Sequence, residues 1–316
     1  MYKFGTILLF LFLLGACTSK TERLQEQIQK EVGAVESQLE RLSKGLNNQT
    51  VLNAGILNQY ATQLGQSNSE YAPLAKLLGE NAKTSGPMYQ SLVERLNTVK
   101  LYSGESVEQL EKNLQELELL NEAANPAMFS DALSDPINVL ADASNGKLPR
   151  VQSISREQEA SSNRQSNLGN GAQLIGNPQY GQWVTGSNGM SFWEWYGAYA
   201  LISDLMGGRR YNYSTWGSNR PYSYYHDYGR NRYTKPSVFN KQNQIEARTQ
   251  KTFSQQGKRF SSPYAKKRTG AVGLSKASQS RPSSGSFRKA STFRRSASSS
   301  GRRAQSRTSR GPSRGK

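Results

Sequence analysis

Few residues in this chain are of types that do chemistry, and they are scarce. Cys17 is the sole cysteine among 316 residues, so no disulfide partner exists within the chain. His226 is the sole histidine and is followed by Asp227. An imidazole oriented by a carboxylate is the core of a general base. Such groups, however, meet in space around a positioned nucleophile, not as sequence neighbours. The pair therefore reads as structural. Glu116 and Glu118 lie two apart, which places them on different faces of a helix as solvated charge. No Cys/His cluster offers a transition-metal site, and no glycine-rich phosphate loop follows a strand pattern. The reading is a non-enzyme without a metal or diffusible cofactor. A glycan hydrolase is the enzymatic alternative, and it would need a folded cleft holding two facing carboxylates.

Cys17 stands at the end of the apolar run Ile7–Leu14, which follows the single early charge Lys3. A basic start, a short apolar stretch and small residues at its end form a secretory signal peptide. The run is too short for an ordinary membrane span. The four residues Leu14-Gly15-Ala16-Cys17 resemble the lipobox of bacterial lipoproteins. The resemblance implies a diacylglyceryl group on the Cys17 sulfur and cleavage between Ala16 and Cys17. Residues 1–16 are then the signal peptide, and the covalent lipid is the only cofactor-like group. Thr18 and Ser19 follow instead of Asp, which by the same resemblance favours the periplasmic face of the outer membrane over the inner membrane. The bland readings are an ordinary signal peptide with a chance cysteine, or an uncleaved anchor. The layout also loosely resembles uncharacterised proteobacterial lipoproteins in which a polar region precedes an aromatic stretch, here opening Ser191-Phe192-Trp193, and a Ser/Arg-rich tail. That resemblance brings no activity with it.

The elements that follow read as mainly α, a long helical hairpin or small coiled-coil-like bundle over 17–142. Leu24, Ile28, Val32, Val35, Leu39, Leu42 and Leu46 approach heptad spacing. The pattern weakens at Asn47 and Asn48 and resumes at Ile56, Tyr60 and Leu64, predicting one helix from 20 to about 65. Ser69 with Pro73 predicts the start of a second helix, and Ser85-Gly86-Pro87 its break. Met88, Leu92, Leu96 and Val99 mark a third. Ser106 with Gln109 forms a capping-box pattern for a fourth carrying Leu110, Leu114, Leu117 and Leu120. Asn125-Pro126 and Asp135-Pro136 read as cap-plus-first-residue pairs opening two short helices.

Periodicity then disappears. Residues 143–189 read as a flexible linker. The stretch 190–208 is the most hydrophobic of the mature chain, and three placements stay open for its core, 190–206. It is a helix docked on the bundle, an interfacial helix with Phe192, Trp193, Trp195 and Tyr196 at headgroup level, or a span opposed by Glu194 and Asp204. The Tyr/Arg-rich segment 209–233 suits either surface contacts or sticky disorder. Residues 234–316 read as a basic, Ser/Arg-rich disordered tail.

Composition sets the partners. Hydrophobic residues are 35% of the chain, below the usual range of about 45–50%. The net charge of +18 is uneven: residues 229–316 carry 23 Lys/Arg against one acid, Glu246. Arg288, Lys289, Arg294, Arg295, Arg302 and Arg303 are candidates to bind an anionic surface, whether lipid headgroups or an anionic polymer. Membrane lipid through acylated Cys17 is the other expected contact, with a helical protein partner or self-association beyond it. The functional expectation is a lipid-anchored envelope protein with a structural, adaptor or tethering role. The alternative is nucleic-acid binding through the Arg/Ser-rich tail, with aromatic faces stacking on bases.

Overall fold

The computed structural model describes residues 19–101, 106–165 and 168–282. The chain is mainly α. Helix α1, Lys20–Asn47, opens on a complete capping box: the Ser19 hydroxyl accepts the Glu22 N–H at 3.1 Å, and the Glu22 carboxylate accepts the Ser19 N–H at 2.7 Å. At about 1.5 Å per residue, its 28 residues span about 42 Å. All seven near-heptad residues from Leu24 to Leu46 are buried.

The expected helix 20–65 is realised as α1 and α2, Leu52–Ser67, joined by a tight turn. Asn48 ends α1, and Gln49 takes a positive φ of 56°. The weakened pattern at Asn47-Asn48 is where the chain turns. Helix α3, Ala72–Gly79, packs on α2. It starts later than Ser69 predicts: Tyr71 is the cap and contributes no side-chain hydrogen bond. Helix α4 is Pro87–Leu101 and α5 is Val107–Ala123. Helix α5 lies parallel to α1, since Lys20 pairs with Glu111 at 2.8 Å near both starts and Glu31 faces Glu118 farther along. Ser106 caps α5 as predicted, but the Gln109 amide turns to Asn113, so only half of the box forms.

Asn125 caps α6, Pro126–Ala132, as its spacing predicts. Asp135 does not cap α7, Ser134–Ala143; it lies inside the first turn and serves a remote segment. Helix α7 is buried on nearly all sides and joins the leucine-rich bundle to a second region whose core is aromatic.

That second region departs from the sequence reading. The flexible linker expected over 143–189 instead contains helix α8, Arg156–Asn163, a 3-10 turn at Ala172–Leu174 and strand β1, Gly181–Thr185. Some of its glycines serve close packing: at Gly171, φ is 90° and an added Cβ would lie 2.8 Å from Ile202. The aromatic stretch 190–208 is not one helix. Ser191–Trp195 forms β2, antiparallel to β1 with Trp183 opposite Trp193, and a 3-10 turn at Gly197–Tyr199 leads into the short helix α9, Ala200–Leu205. Alternating aromatics fit a pleated, half-buried surface better than a helix.

The segment 209–233 is neither surface nor disorder. Tyr211, Tyr213, Trp216, Tyr222, Tyr224, Tyr225 and Tyr233 are buried. They lie on and around α10, Tyr213–Asn219, a π-helical turn at Tyr225–Gly229, and α11, Arg230–Tyr233. The ordered chain also runs well into the expected tail. Helix α12 is Pro236–Gln255, and residues 256–282 return across the aromatic core to a short helix α13, Lys276–Gln279. Ile154 N–H donates to the Gly270 carbonyl at 2.9 Å, and Val272 N–H to Gln152 at 3.1 Å. Arg230 lies over the rings of Phe239 and Tyr264. The predicted disorder over 234–282 fails because few apolar residues suffice when each seats on an aromatic core already formed. The predicted disorder of 283–316 falls outside the described residues.

Candidate functional site

The predicted site residues disperse. Cys17 with its flanking Leu14-Gly15-Ala16 lies outside the described residues, as do Arg288, Lys289, Arg294, Arg295, Arg302 and Arg303. Ser19, already capping α1, is the first described residue after the predicted anchor.

The proposed membrane-contact aromatics do not present a common face. Trp193 is 6% exposed and packs edge-on against Trp183 at 5.2 Å and Trp195 at 5.6 Å. Phe192 is half-buried beneath the Arg210 guanidinium. Trp195 is half-buried, while Tyr196 is 41% exposed. Strand alternation sends Trp193 inward and leaves Phe192 and Tyr196 nearer the surface, so these four cannot all reach headgroups. Among the described residues, no helix is long and apolar enough to cross a membrane.

His226 and Asp227 serve different structures. His226 Nε2 donates to the Ile175 carbonyl at 2.7 Å, and the ring packs edge-on to Trp216 at 5.1 Å. Burial pushes its pKa well below the ordinary range, so the imidazole stays neutral. Asp227 instead forms a buried bidentate pair with Arg220, at 2.7 and 3.1 Å, and accepts the Arg268 N–H at 3.0 Å. Glu116 is not the solvated charge its position suggests: it is buried and accepts from Arg95 Nε at 2.7 Å. Glu118 is half-buried, and its pKa is raised by burial and by Glu31 and Glu122.

Buried carboxylates organise the aromatic region. Asp135 accepts the Ser223 hydroxyl at 2.8 Å and the Tyr224 and Tyr225 N–H groups at 2.8 and 2.9 Å. Burial nevertheless pushes its pKa up to about 6. Asp131 accepts from Gln152 and, with its other oxygen, from Ser275 N–H at 2.9 Å and the Ser275 hydroxyl. Arg232 donates to Glu122 at 2.6 Å and to the Ser280 carbonyl at 2.9 Å, tying the end of the ordered chain to α5. These groups are satisfied by protein and serve the fold.

A polar cavity of about 300 Å³ is different. It lies between the end of α7, the start of α8 and the turn at 168–173, with Pro221 at one side. Arg150 crosses its wall. Its Nη1 donates to Glu159 at 2.8 Å and to the Ile154 carbonyl at 3.1 Å, and its Nη2 to Gln173 at 3.0 Å. Glu159 also accepts the Tyr222 N–H at 2.7 Å, so both of its oxygens are held. Asp142 is placed differently: each oxygen lies 3.7 Å from an arginine Nε, one on Arg150 and one on Arg156. That is ion pairing beyond hydrogen-bond distance. Burial, opposed by those arginines, pushes its pKa up to about 6. Glu157, also on the wall, is exposed.

The hydrolase reading needs two carboxylates free to face a substrate. Here Glu159 is committed to the fold, while Asp142 and the exposed Glu157 also line the wall. Among the described residues, no group of three or more Cys, His, Asp or Glu side chains is placed to hold a metal ion. Sequence reasoning missed this cavity because Asp142, Arg150 and Gln165 share no spacing. The one local signal is Ser155, whose hydroxyl accepts the Gln158 N–H and starts α8. No family model matches the chain, and no curated protein or solved structure is significantly similar to it.

Proposed function

We propose that this chain is a lipid-anchored, non-enzymatic protein of the bacterial cell envelope, with a structural or tethering role. The observation that carries the reading is Leu14-Gly15-Ala16-Cys17 at the end of a signal-peptide pattern, with Cys17 the only cysteine. The capping box at Ser19 supports it, because a lipid on Cys17 would meet a rigid helix of about 42 Å with almost no tether. The outer membrane is favoured by Thr18 and Ser19. The far end of the chain supplies the second contact. Residues 283–316 hold ten Lys/Arg and no acid, and each cation near an anionic bilayer contributes on the order of 1 kcal/mol. The chain reaches them from Ser280, beside Glu122 of α5. Helix α12 adds exposed Lys241, Arg248 and Lys251 on the ordered side. Nucleic acid is the less favoured polyanion, because the tyrosines of 209–233 that would stack on bases are buried in the core.

Two measurements test this reading. Metabolic labelling with an alkyne fatty acid should mark the wild type and not Cys17→Ser. The purified Cys17→Ser chain should bind phosphatidylglycerol vesicles and be released steeply by salt, given screening over about 8 Å at physiological ionic strength. Ending the chain after Pro282 should abolish most of that binding. Binding that is salt-independent, or that survives the truncation, removes the electrostatic grip from the account.

A further inference from the structure

We infer that the outward face of α12 is a docking surface for a linear acidic polysaccharide. The inference does not depend on the lipid anchor, and it concerns ordered side chains, not the tail beyond Pro282. Steps of three and four residues along α12 place Lys241, Gln244, Arg248, Lys251 and Gln255 on one face, and all five are exposed. At about 1.5 Å per residue the row is about 21 Å long. The opposite face is fixed: Gln242, Ile245 and Glu246 are buried, and Gln242 accepts from Arg230 at 2.8 Å. Lys235 pairs with Glu94 at 2.6 Å just before the first turn, and past the last turn the Lys258 N–H donates to the Phe253 carbonyl at 2.8 Å. The row is therefore held before any partner arrives, which lowers the ordering cost of binding.

The cations of this row are unmatched, unlike five on the bundle surface. There Lys20, Lys44, Lys83, Lys100 and Lys112 each pair with a carboxylate at 2.8 Å or less. Along 236–282 the only acid is Glu246, and it faces the core, with the Tyr213 hydroxyl 3.4 Å away. Lys241, Arg248 and Lys251 pair with no carboxylate among the described residues. The residues between these cations select the polymer. Gln244 and Gln255 carry amides, which both donate and accept hydrogen bonds. A chain of uronic sugars presents carboxylates to the cations and hydroxyls, which also donate and accept, to the amides. A nucleic-acid backbone presents phosphate oxygens that only accept, and its bases need open rings to stack on. Phe239, Phe253 and Phe260 are instead half-buried, with Phe253 edge-on to Phe260 at 5.4 Å. A helix lying in a bilayer surface turns its apolar side to the lipid, whereas Ile245 is turned to the core.

Fluorescence anisotropy of a labelled oligogalacturonate, titrated with the full-length Cys17→Ser chain at physiological ionic strength, tests this. Oligo-dT, phosphatidylglycerol vesicles and uncharged dextran serve as competitors. The chain should bind the oligogalacturonate, and dextran should not displace it. Replacing Lys241, Arg248 and Lys251 together by Gln should weaken that binding at least about fivefold. The same variant should change the affinity for oligo-dT and for vesicles less than about twofold, since the ten Lys/Arg of 283–316 remain. A matched variant carrying Lys20→Gln, Lys44→Gln and Lys112→Gln loses the same net charge and should bind as the wild type does. Gln244→Glu sets an anion in the middle of the row and should also weaken binding. It decides the question if the triple α12 variant does not keep the wild-type circular dichroism. No binding of oligogalacturonate, an equal loss in the bundle variant, or an equal loss of oligo-dT or vesicle binding in the α12 variant would overturn the assignment.

Discussion

The leucine bundle and the aromatic region bury comparable side chains by different means. Along α1 and α5 the core is a stripe: Leu24 through Leu46 face Leu110, Leu117 and Leu120, and surface ions such as Lys20–Glu111 decorate the edge. In the aromatic region there is no stripe. Trp183 gathers Trp193, Tyr213 and Trp216 within 5.2 Å, and the surrounding backbone is held by Asp135, Asp131 and the Arg220–Asp227 pair. The first region is ordered by repeated burial of apolar groups, the second by aromatic packing around a few buried, hydrogen-bonded polar groups. Both belong to one contiguous core, joined through α7.

The largest effect that would break this contrast is a pair of truncations. Ending the chain at Gly229 removes Arg232, Tyr233, Ile245 and Leu274 from the core. It should abolish the near-ultraviolet dichroism of the aromatic region. Ending it after Pro282 should leave both near- and far-ultraviolet spectra unchanged. If the Gly229 truncation keeps its aromatic signal, residues 230–282 are not part of the core.

A smaller loss follows from Arg220→Ala. It leaves Asp227 buried without its bidentate partner, and denaturant unfolding should show a loss of about 3–5 kcal/mol. Leu42→Ala in the bundle removes a fully buried side chain and should cost about 2–4 kcal/mol by the same measurement. The two should differ in kind. Replacing Arg220 and Asp227 together by Met and Leu should recover most of the loss, since an apolar pair of similar shape leaves no buried charge. No second substitution of that sort exists for Leu42.

The smallest effect concerns Asp142 and sharpens the contrast through pH. Its folded pKa is raised from 3.8 to about 6 by burial, with Arg150 and Arg156 opposing and Glu157 and Glu159 adding to the rise. A raised carboxyl holds its proton in the folded state, so its contribution is complete below about pH 4 and is lost as pH rises through about 6. Asp142→Asn removes that loss. Thermal unfolding should show the variant more stable than wild type by about 1–2 kcal/mol at pH 7.5 and equal to it near pH 4. Asp135, also raised to about 6, keeps a similar slope in both proteins. His226 acts in the opposite sense and in both proteins equally: its lowered pKa withdraws stability as pH falls below its ordinary range.

The comparison also explains what the sequence disclosed. The stripe from Leu24 to Leu46 was legible because period and burial coincide, and Asn125-Pro126 because a cap is a local event. The aromatic region was not, because its determinants are remote in sequence. Asp135 bonds residues some ninety positions away, and Ser275 seats on Asp131 from farther still. Low hydrophobicity and abundant Gly, Ser and Tyr read as a flexible linker over 143–189, as surface contacts or disorder over 209–233, and as disorder from 234 onward. In the fold Gly176 and Gly270 permit close approach to rings, and the tyrosines supply core volume, some with a polar tip that finds a partner, as Tyr233 does at the Ala123 carbonyl and Tyr225 at Thr234. The cavity was illegible for the same reason. Arg150 reads as an ordinary cation until Asp142, Glu159 and Gln173 are brought around it.

The central claim is that the chain hangs from a lipid on Cys17. Mass spectrometry of the amino-terminal peptide, from protein purified out of a bacterial membrane fraction, tests it most directly. The account predicts a peptide that begins at Cys17 and carries a diacylglyceryl mass on sulfur, with residues 1–16 absent. A peptide that retains Leu14-Gly15-Ala16, or one with a free Cys17 thiol, would contradict it.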